Sequence, residues 1–477
     1  MVTEDKESEP IVLSEKEERK RQMILSGSKL KIILLIALPL VFYNSLNQIF
    51  QLIDTIIASN LSAKVVSTVS FVAQIESMIL AIGSALALGG GVIISRSYGE
   101  GDMQKVKTQI STLFFLCIFI GCGILAVIIP LAYPFLKLLK MPEDLIGTGT
   151  AYFSFDVISI IFQFINTIYF ATLKSRGNTK QVMYGNTLVL FIKTALNVSI
   201  SVSAQRGLFD ADRAMLLLPV STIVAHATLT VIAIISLTSK KNPFRISLKN
   251  CSFSKPFLGP LFNLSIPVFF EKFTFNFGKV IVNSMCASFG SIVIGALGVS
   301  NRLGGLVTNP MNGFQEAESS LMSQNIGARN VKRALAIFYT TLAINLIFAT
   351  FSFIITTILK EPIIAAFAKG SGEFAGEIEK IYMFERMDAL LMAVNISVMG
   401  LLYSFGKTRV SMAINIIRLF GFRIPPLLIF MNVPYLREHL GTMAVGIAML
   451  MSNALSGIIA GITAIIFIRK LKRQGTV

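Results

Sequence analysis

The sequence predicts an all-α integral membrane protein with twelve transmembrane helices in two parallel six-helix repeats. The composition, the spacing of the apolar runs and an internal repeat carry this prediction. Hydrophobic residues make up 53% of the 477 residues, charged residues make up 14%, and the mean hydropathy is +0.70. Since a soluble domain averages about 25% charged residues, this composition excludes a disordered chain, a coiled coil and an ordinary soluble enzyme.

Twelve apolar runs are long enough to cross a bilayer, for which a helix needs about 20 residues. Six of them form a predicted N-terminal lobe (32–238), at 32–58, 66–94, 109–136, 151–173, 182–204 and 214–238. The other six form a predicted C-terminal lobe (259–468), at 259–286, 292–322, 333–359, 378–404, 410–431 and 442–468. A charged tail (1–31), expected to be mobile up to about Leu25, a basic linker (239–258) and a basic tail (469–477) complete the chain.

The distribution of basic residues predicts the orientation. They concentrate in the N-terminal tail, in the loops that follow even-numbered helices and in the C-terminal tail. Because loops rich in Lys and Arg stay in the cytoplasm, we expect a multi-pass protein of the bacterial inner membrane, or of a plasma membrane, with both termini cytoplasmic. These loops also account for the excess of 43 Lys and Arg over 26 Asp and Glu, so no nucleic-acid partner is expected.

The two halves of the sequence repeat each other. A shift of 228 residues aligns Pro39 with Pro267, Gly99 with Gly327, and Pro134 with Pro362, and a shift of 229 aligns 177–180 with 406–409. Each half contains an even number of helices, so the halves run parallel in the membrane and should be related by an axis along the membrane normal. Secondary transporters are often built in this way.

Three segments carry a family resemblance: Pro39 followed by Asp-Thr-Ile-Ile-Ala at 54–58, the glycine-rich end of helix 2 at 85–102, and its repeat mate at 319–330. Together they resemble the multidrug and toxic compound extrusion (MATE) family. The resemblance implies a V-shaped, two-lobed exporter that exchanges an organic substrate for Na⁺ or H⁺. No cofactor is expected beyond that coupling ion.

Asp54 is the main candidate for ion coupling, because a charge within a membrane helix is costly. The resemblance implies the same role, since the family's helix-1 Asp follows a Pro at this spacing and is its usual cation or proton site. It also implies an Asn and an Asp four residues apart on helix 5, where this chain has Asn197 and Ser201. The missing carboxylate weakens the Na⁺ hypothesis, in which Asp54 would be a metal ligand, and leaves proton coupling more open. A structural role for Asp54 is the alternative, and Pro39 is expected either to kink helix 1 near the site or to serve packing.

The expected substrate cavity combines acids with an unusual number of bases. Its candidate residues are Tyr43, Lys193, Glu271, Lys272, Lys279, Arg302 and Asp388, and two further bases, Arg418 and Arg423, lie on helix 11. The bases predict one of two arrangements. They either pair with the intramembrane acids, or they line a cavity that accepts anionic or zwitterionic substrates. Glu316 and Glu318, near the cytoplasmic end of helix 8, are expected to pair or to extend towards the membrane surface.

These observations predict a monomeric, cation-coupled antiporter that exports small organic molecules by alternating access between two lobes. The alternative is a flippase of the wider superfamily, or an exporter of an anionic or lipid-linked substrate that uses the intramembrane Lys and Arg. An enzyme is not expected, because His226 and His439 are isolated in the sequence and no Gly-Lys-Ser/Thr phosphate loop is present.

Overall fold

The computed structural model describes residues 11–59, 61, 63–139, 141, 143–368 and 371–475, so parts of the two predicted tails (1–10 and 476–477) lie outside the described residues. Within these ranges the regular structure is helical. The first half contains α1 (Glu15–Ser26), α2 (Lys29–Ser59), α3 (Ala63–Glu100), α4 (Met103–Ile128), α5 (Ala132–Leu138), α6 (Glu143–Ser175), α7 (Thr179–Gln205) and α8 (Ala211–Thr238). The second half contains α9 (Lys255–Cys286), α10 (Ser291–Gly327), α11 (Val331–Ile358), α12 (Lys360–Ala368), α13 (Gly372–Met387), α14 (Ala389–Ser404), α15 (Thr408–Ile416), α16 (Ile424–Asn432), α17 (Pro434–Leu440) and α18 (Met443–Arg473).

The all-α membrane fold is confirmed, and each predicted span coincides with a helix or a helix pair. Nine helical spans of the described chain are apolar and long enough to cross a membrane, and α13 with α14 forms a tenth that bends by 52° at Asp388. The remaining two are α9 and α10, which have 32 and 37 residues. They are long enough to span a bilayer, but polar and charged residues interrupt them. The eleventh span changes from α15 to α16 through a π-helical turn at Ile417–Gly421.

The two halves pack around an axis that relates them. Helix α3 packs against α9, and their repeat mates α10 and α2 pack against each other in the same way. Helices α3 and α10 also contact each other across the axis. Glycine permits one of these close approaches, because a Cβ atom on Gly313 would lie 2.7 Å from the backbone nitrogen of Val41. Val41 follows Pro39, which lies inside α2 and leaves one carbonyl of that helix without its usual donor.

Repeat-related contacts close the two halves against each other on the side of the membrane where the N-terminal helix lies, which we call the terminal face. Arg96 donates to the backbone oxygen of Ser404 at 2.5 Å. Its repeat mate Gln324 donates to the backbone oxygen of Ser175 at 2.8 Å. These four positions form two equivalent pairs, at offsets of 228 and 229 residues, so the repeat seen in the sequence is a two-fold relation in space.

Helix α1 is docked against the rest of the chain, so the expectation of a mobile chain up to about Leu25 is wrong for the part of the tail that begins at Glu15. Ser14 caps α1, since its side chain accepts a hydrogen bond from the backbone nitrogen of Glu17. Acidic residues fill the first helical turn, where their negative charge interacts favourably with the positive end of the helix dipole. Ile24 is fully buried. The tail contains few apolar residues, and one buried apolar side chain together with hydrogen bonds attaches α1 to the rest of the protein.

Helix α1 contacts both halves at the terminal face. Arg21 donates to the backbone oxygens of Tyr98 at 2.9 Å and Gly99 at 3.0 Å in the first half. From the second half, Arg333 donates to the backbone oxygens of Ile24 at 3.1 Å and Gly27 at 2.6 Å. The helix therefore bridges the two halves where they close.

Candidate ion site and substrate cavity

Asp54 lies on α2 and has two nitrogen partners on α7. Lys193 places its Nζ atom 3.0 Å from Oδ2 of Asp54. Asn197 donates from Nδ2 to Oδ1 of the same carboxylate at 3.1 Å. The two partners are four residues apart, so they lie on the same face of α7. The Asp54 side chain is 26% exposed, so the carboxylate is not fully enclosed by its partners.

Neighbouring side chains hold Asn197 in this orientation. The hydroxyl of Ser221 on α8 donates to Oδ1 of Asn197, which leaves the amide NH₂ group to face Asp54. Ser201, which the sequence places in the coupling site, is buried on α7. In the described structure it makes no hydrogen bond to Asp54. Ser221 thus supplies the hydroxyl of this site.

Two more acids act on Lys193. Glu76 on α3 accepts from Gln163 at 2.7 Å, and Asp156 on α6 is 4% exposed. Both acids interact electrostatically with the Lys193 ammonium, as Asp54 does. One oxygen of Asp156 has no hydrogen-bond partner among the described residues. The first half therefore contains three carboxylates around one lysine.

Two open cavities of the described chain lie between the halves. The larger cavity, about 620 Å³, lies mainly in the second half, and the smaller, about 560 Å³, lies mainly in the first. They share five lining residues: Asn47, Lys272, Asn312, Gln315 and Tyr403. The volumes fall within the range of ligand pockets for small molecules.

Glu271 lines the larger cavity and is bound by neutral donors. Its carboxylate accepts from the Tyr403 hydroxyl at 2.6 Å, from the Ser411 hydroxyl at 2.6 Å and from the Asn415 amide at 2.7 Å. Lys272 is adjacent in sequence, but no ion pair joins the two side chains in the described structure. The Glu271 carboxylate is therefore satisfied without a basic partner.

Bases and amides line the other end of the larger cavity. Arg418 donates to Oδ1 of Asn453 at 2.8 Å, and Arg423 donates to the same oxygen at 2.8 Å. The amide nitrogen of Asn453 donates to Asp388. Asn453 thus lies between two guanidinium groups and one carboxylate. Glu385 is engaged separately by the hydroxyl of Ser300.

A model of the MatE family matches residues 39–199 and again residues 267–429. The two matches begin 228 residues apart, which is the offset of the internal repeat. The chain belongs to the MatE family. Multidrug efflux transporters make up this family, so the resemblance seen in the sequence is confirmed.

Relatives in this family carry multidrug names. The chain is 25% identical to the probable multidrug resistance protein YpnP of Bacillus subtilis over 64% of this chain and 67% of YpnP. It is 21% identical to the multidrug export protein MepA of Staphylococcus aureus over 83% of this chain and 86% of MepA.

Solved MATE transporters share the fold. A crystal structure of a MATE protein in complex with MaL6 matches 95% of this chain and 99% of that chain with a TM-score of 0.88 and 16% identity. A transporter of the MOP superfamily from Pyrococcus furiosus matches 98% of this chain and 100% of that chain with a TM-score of 0.86 and 16% identity. That structure is described as having a binding pocket of reverse polarity that suggests a different function.

Most residues that the sequence predicts for the substrate cavity of this MatE protein line one of the two cavities. Glu271, Lys272, Lys279, Arg302 and Asp388 line the larger cavity, and Tyr43 lines the smaller. Lys193 is the exception. It lines neither cavity and contacts Asp54 instead, because α7 directs it towards the acids of the first half.

The sequence does not predict every polar contact at the cavity and between the halves of this MatE protein. Glu385 has a signal in the sequence, because it belongs to a Glu-Arg-Met-Asp run inside a predicted span. Asn453 has none, since it is a single amide in an apolar helix.

Glu316 pairs with Lys174 across the halves at 2.8 Å, as expected. Glu318 neither pairs nor extends to the surface. It is fully buried, and neither carboxylate oxygen has a hydrogen-bond partner among the described residues.

Proposed function

We propose that this MatE protein is a cation-coupled antiporter that exports small organic molecules from the cytoplasm by alternating access, as a monomer. The observation that carries the proposal is the separation of two sites. A partly exposed carboxylate, Asp54, lies among polar partners in the first half, and a cavity large enough for an organic molecule lies mainly in the second half. The multidrug names of YpnP and MepA support the same activity.

The partners of Asp54 favour H⁺ over Na⁺ as the coupling ion. A hard metal cation is bound by several oxygen ligands, as Ca²⁺ and Mg²⁺ are. Asp54 instead contacts two nitrogen donors, the ammonium of Lys193 and the amide of Asn197. A metal ion would have to displace both of these groups, whereas a proton can bind the carboxylate directly. No group of three or more His, Cys, Asp or Glu that could hold a metal is present in the described ranges.

Protonation of Asp54 supplies a physical route to coupling. It removes the charge that holds Lys193, and the ammonium is then free to move towards Glu76 and Asp156. Because Asp54 lies on α2 and Lys193 lies on α7, the change alters the contact between these two helices. An ion can shift a conformational equilibrium only if it binds the two conformations with different affinity. The Asp54–Lys193 pair provides that difference in affinity if the distance between the two side chains differs between the two conformations.

In this function the terminal face lies in the cytoplasm with both termini on that side, because the loops of this face carry most of the basic residues. Contacts between Arg96 and Ser404 and between Gln324 and Ser175 close this face. Export then requires these contacts to open when cargo is loaded and to form again when it is released.

The test is transport by the purified protein in proteoliposomes under an imposed pH gradient or an imposed Na⁺ gradient. One lipophilic cation and one lipophilic anion serve as cargo. We expect the pH gradient to drive transport and the Asp54→Asn variant to lose that drive. Glu361→Gln, which changes an exposed carboxylate, is the control and should transport as the original protein does. Transport driven by Na⁺ alone, or full pH-driven transport by Asp54→Asn, would overturn the assignment.

A further inference from the structure

Three bases converge on one end of the larger cavity, around Phe275. The Nζ atom of Lys279 lies 4.8 Å from the centroid of the Phe275 ring, and Cζ of Arg418 lies 5.3 Å from it. Arg423 is held next to Arg418, since both guanidinium groups donate to Asn453. We call Lys279, Arg418 and Arg423 the basic cluster.

The π-helical turn brings two members of the cluster together. Arg418 and Arg423 are five residues apart, and in a regular α-helix such residues point in different directions because one turn contains 3.6 residues. The backbone nitrogen of Phe422 donates to the oxygen of Ile417 at 3.0 Å, which is a bond between residues five apart. This widened turn carries both arginines towards Asn453. Turns of this kind occur frequently at functional sites.

The acids nearest the cluster do not form ion pairs with it. Glu385 accepts from Ser300, and Asp388 accepts from Asn453. Among the described residues, no carboxylate oxygen lies within 4 Å of the charged nitrogens of the basic cluster. Three cations in a membrane interior are costly when their direct partners are neutral groups and not carboxylates. An anion in the cavity would offset that cost.

The sign of the charge that predominates differs between the Asp54 site in the first half and the larger cavity, which lies mainly in the second half. In the first half, three carboxylates surround one lysine. In the larger cavity, the lysines and arginines of the wall outnumber the acids. The walls also include Met392, Met399 and Met449, which adapt to apolar bodies of varied shape.

We propose that the basic cluster binds the anionic group of a soluble aromatic anion, such as an aryl carboxylate or sulfonate. The charged group lies against Arg418, Arg423 and Lys279, and the aromatic body lies between Phe275 and the methionines. This inference rests on the proposed export function and names the class of its cargo. An anionic lipid headgroup carries the same chemistry, and the experiment separates the two sources.

Equilibrium binding of two dyes to the purified protein in detergent tests the proposal. Fluorescein and rhodamine 123 share a xanthene ring system. At neutral pH the first is an anion, whereas the second is a cation because its carboxyl group is a methyl ester. We expect fluorescein to bind at least tenfold more tightly than rhodamine 123. Arg418→Gln and Lys279→Gln should each weaken fluorescein binding about tenfold or more, since each removes a desolvated charge that contacts the anion. The control, Arg409→Gln, removes an exposed base from the same span and should bind as the original protein does.

Equal or tighter binding of rhodamine 123 would overturn the proposal. Displacement of fluorescein by detergent-solubilised phosphatidylglycerol at a lower concentration than by free benzoate would assign the site to a lipid headgroup and would also overturn it. If Arg418→Gln does not fold, Phe275→Leu keeps every charge and should weaken both dyes alike. Binding needs no gradient, so a failure of ion coupling leaves this result intact, and a cation-selective site leaves ion coupling intact.

Discussion

The backbone of Gly99 packs directly against the carbonyl of Gln324, so closely that a Cβ atom on Gly99 would overlap the carbonyl oxygen. The repeat-related contact is also present, because a Cβ atom on Gly327 would overlap the carbonyl oxygen of Arg96. Glycine is required at both positions for the backbones of α3 and α10 to meet. These two contacts close the terminal face, together with the hydrogen bonds that Arg96 and Gln324 donate.

Gly99→Val should open the terminal face. The added side chain cannot be accommodated by moving a flexible group, since the obstacle is the Gln324 backbone. We therefore expect the halves to separate at this end and the conformational equilibrium to shift towards a state open at the terminal face. A cysteine introduced at Ser175 in a cysteine-free background should then react with a soluble maleimide about tenfold faster.

The control for this change is Gly123→Ala on α4. Its Cβ atom would meet nothing within 4 Å among the described residues. Labelling in this variant should proceed at the original rate. An unchanged rate in Gly99→Val, with the protein folded, would show that the glycine contact does not hold the face closed.

Lys193→Gln should create sensitivity to Na⁺. The change removes the ammonium that lies 3.0 Å from Asp54 and adds an amide oxygen near the carboxylate. Asp54 is then free to accept a metal cation, for which oxygen is the preferred ligand. We expect pH-driven transport to fall at least tenfold and Na⁺ to raise the melting temperature by several degrees, as a ligand of the folded state does. Lys180→Gln, at the exposed start of α7, should change neither quantity, and absence of a Na⁺ effect in Lys193→Gln would count against this role.

Glu318→Leu should stabilise the protein or leave its stability unchanged. Both carboxylate oxygens of Glu318 are buried without hydrogen-bond partners, and an unsatisfied buried polar group costs about 1–3 kcal/mol. An apolar side chain of similar size removes that cost. Glu316→Leu, two residues earlier, breaks the ion pair with Lys174 and should not stabilise. Thermal unfolding in detergent measures both variants, and a loss of several degrees in Glu318→Leu would indicate a partner for this carboxyl group.

Docking of helix α1 should strengthen as the pH rises through about 8. Burial, followed by the nearby charges of Lys16, Arg176 and Lys180, lowers the pKa of Lys20 from 10.5 to about 8, while Glu17 acts in the opposite direction. The docked helix therefore binds fewer protons than the free helix between about pH 8 and pH 10.5. Stability of the docked state rises with pH over that interval and is constant below it.

Fluorescence anisotropy of a dye on Val12→Cys in a cysteine-free background measures this docking, because Val12 is 82% exposed and lies just before α1. Anisotropy should increase between pH 7.5 and pH 9.5. Lys20→Met removes the titrating amine and should give a response that is flat over the same interval. An equal increase in both proteins would assign the effect to another group.

The sequence was sufficient for the twelve spans and for the equivalence of the two halves. Apolar run length determines where a helix can cross a bilayer, and Pro39 with Pro267 already revealed the offset. The same offset predicts that Gly99 and Gly327 are equivalent positions. It does not predict that each glycine packs against the other half. Contacts of that kind depend on how helices are placed in three dimensions, and the spacing of residues along one chain does not contain that information.

The candidate site was predicted less completely. Asp54 and Asn197 are found in contact. The charge of Lys193 predicts a place among the cavity bases. In the structure its side chain points from α7 towards Asp54. The pairing of Arg418 with Arg423 depends on a π-helical turn, and α-helical periodicity places these two residues on different faces. Local backbone geometry of this kind is set by packing against neighbouring helices.

The cross-contacts at the terminal face have one more consequence. Each half offers a glycine and a side-chain donor, and each receives the same from the other half, at equivalent positions. A surface that presents both parts of a contact is self-complementary, which is the property that an isologous two-fold dimer requires. A single six-helix unit with this surface has the geometry to pair with its own copy. The present chain therefore holds, within one polypeptide, the kind of two-fold contact that joins two identical subunits in a homodimer.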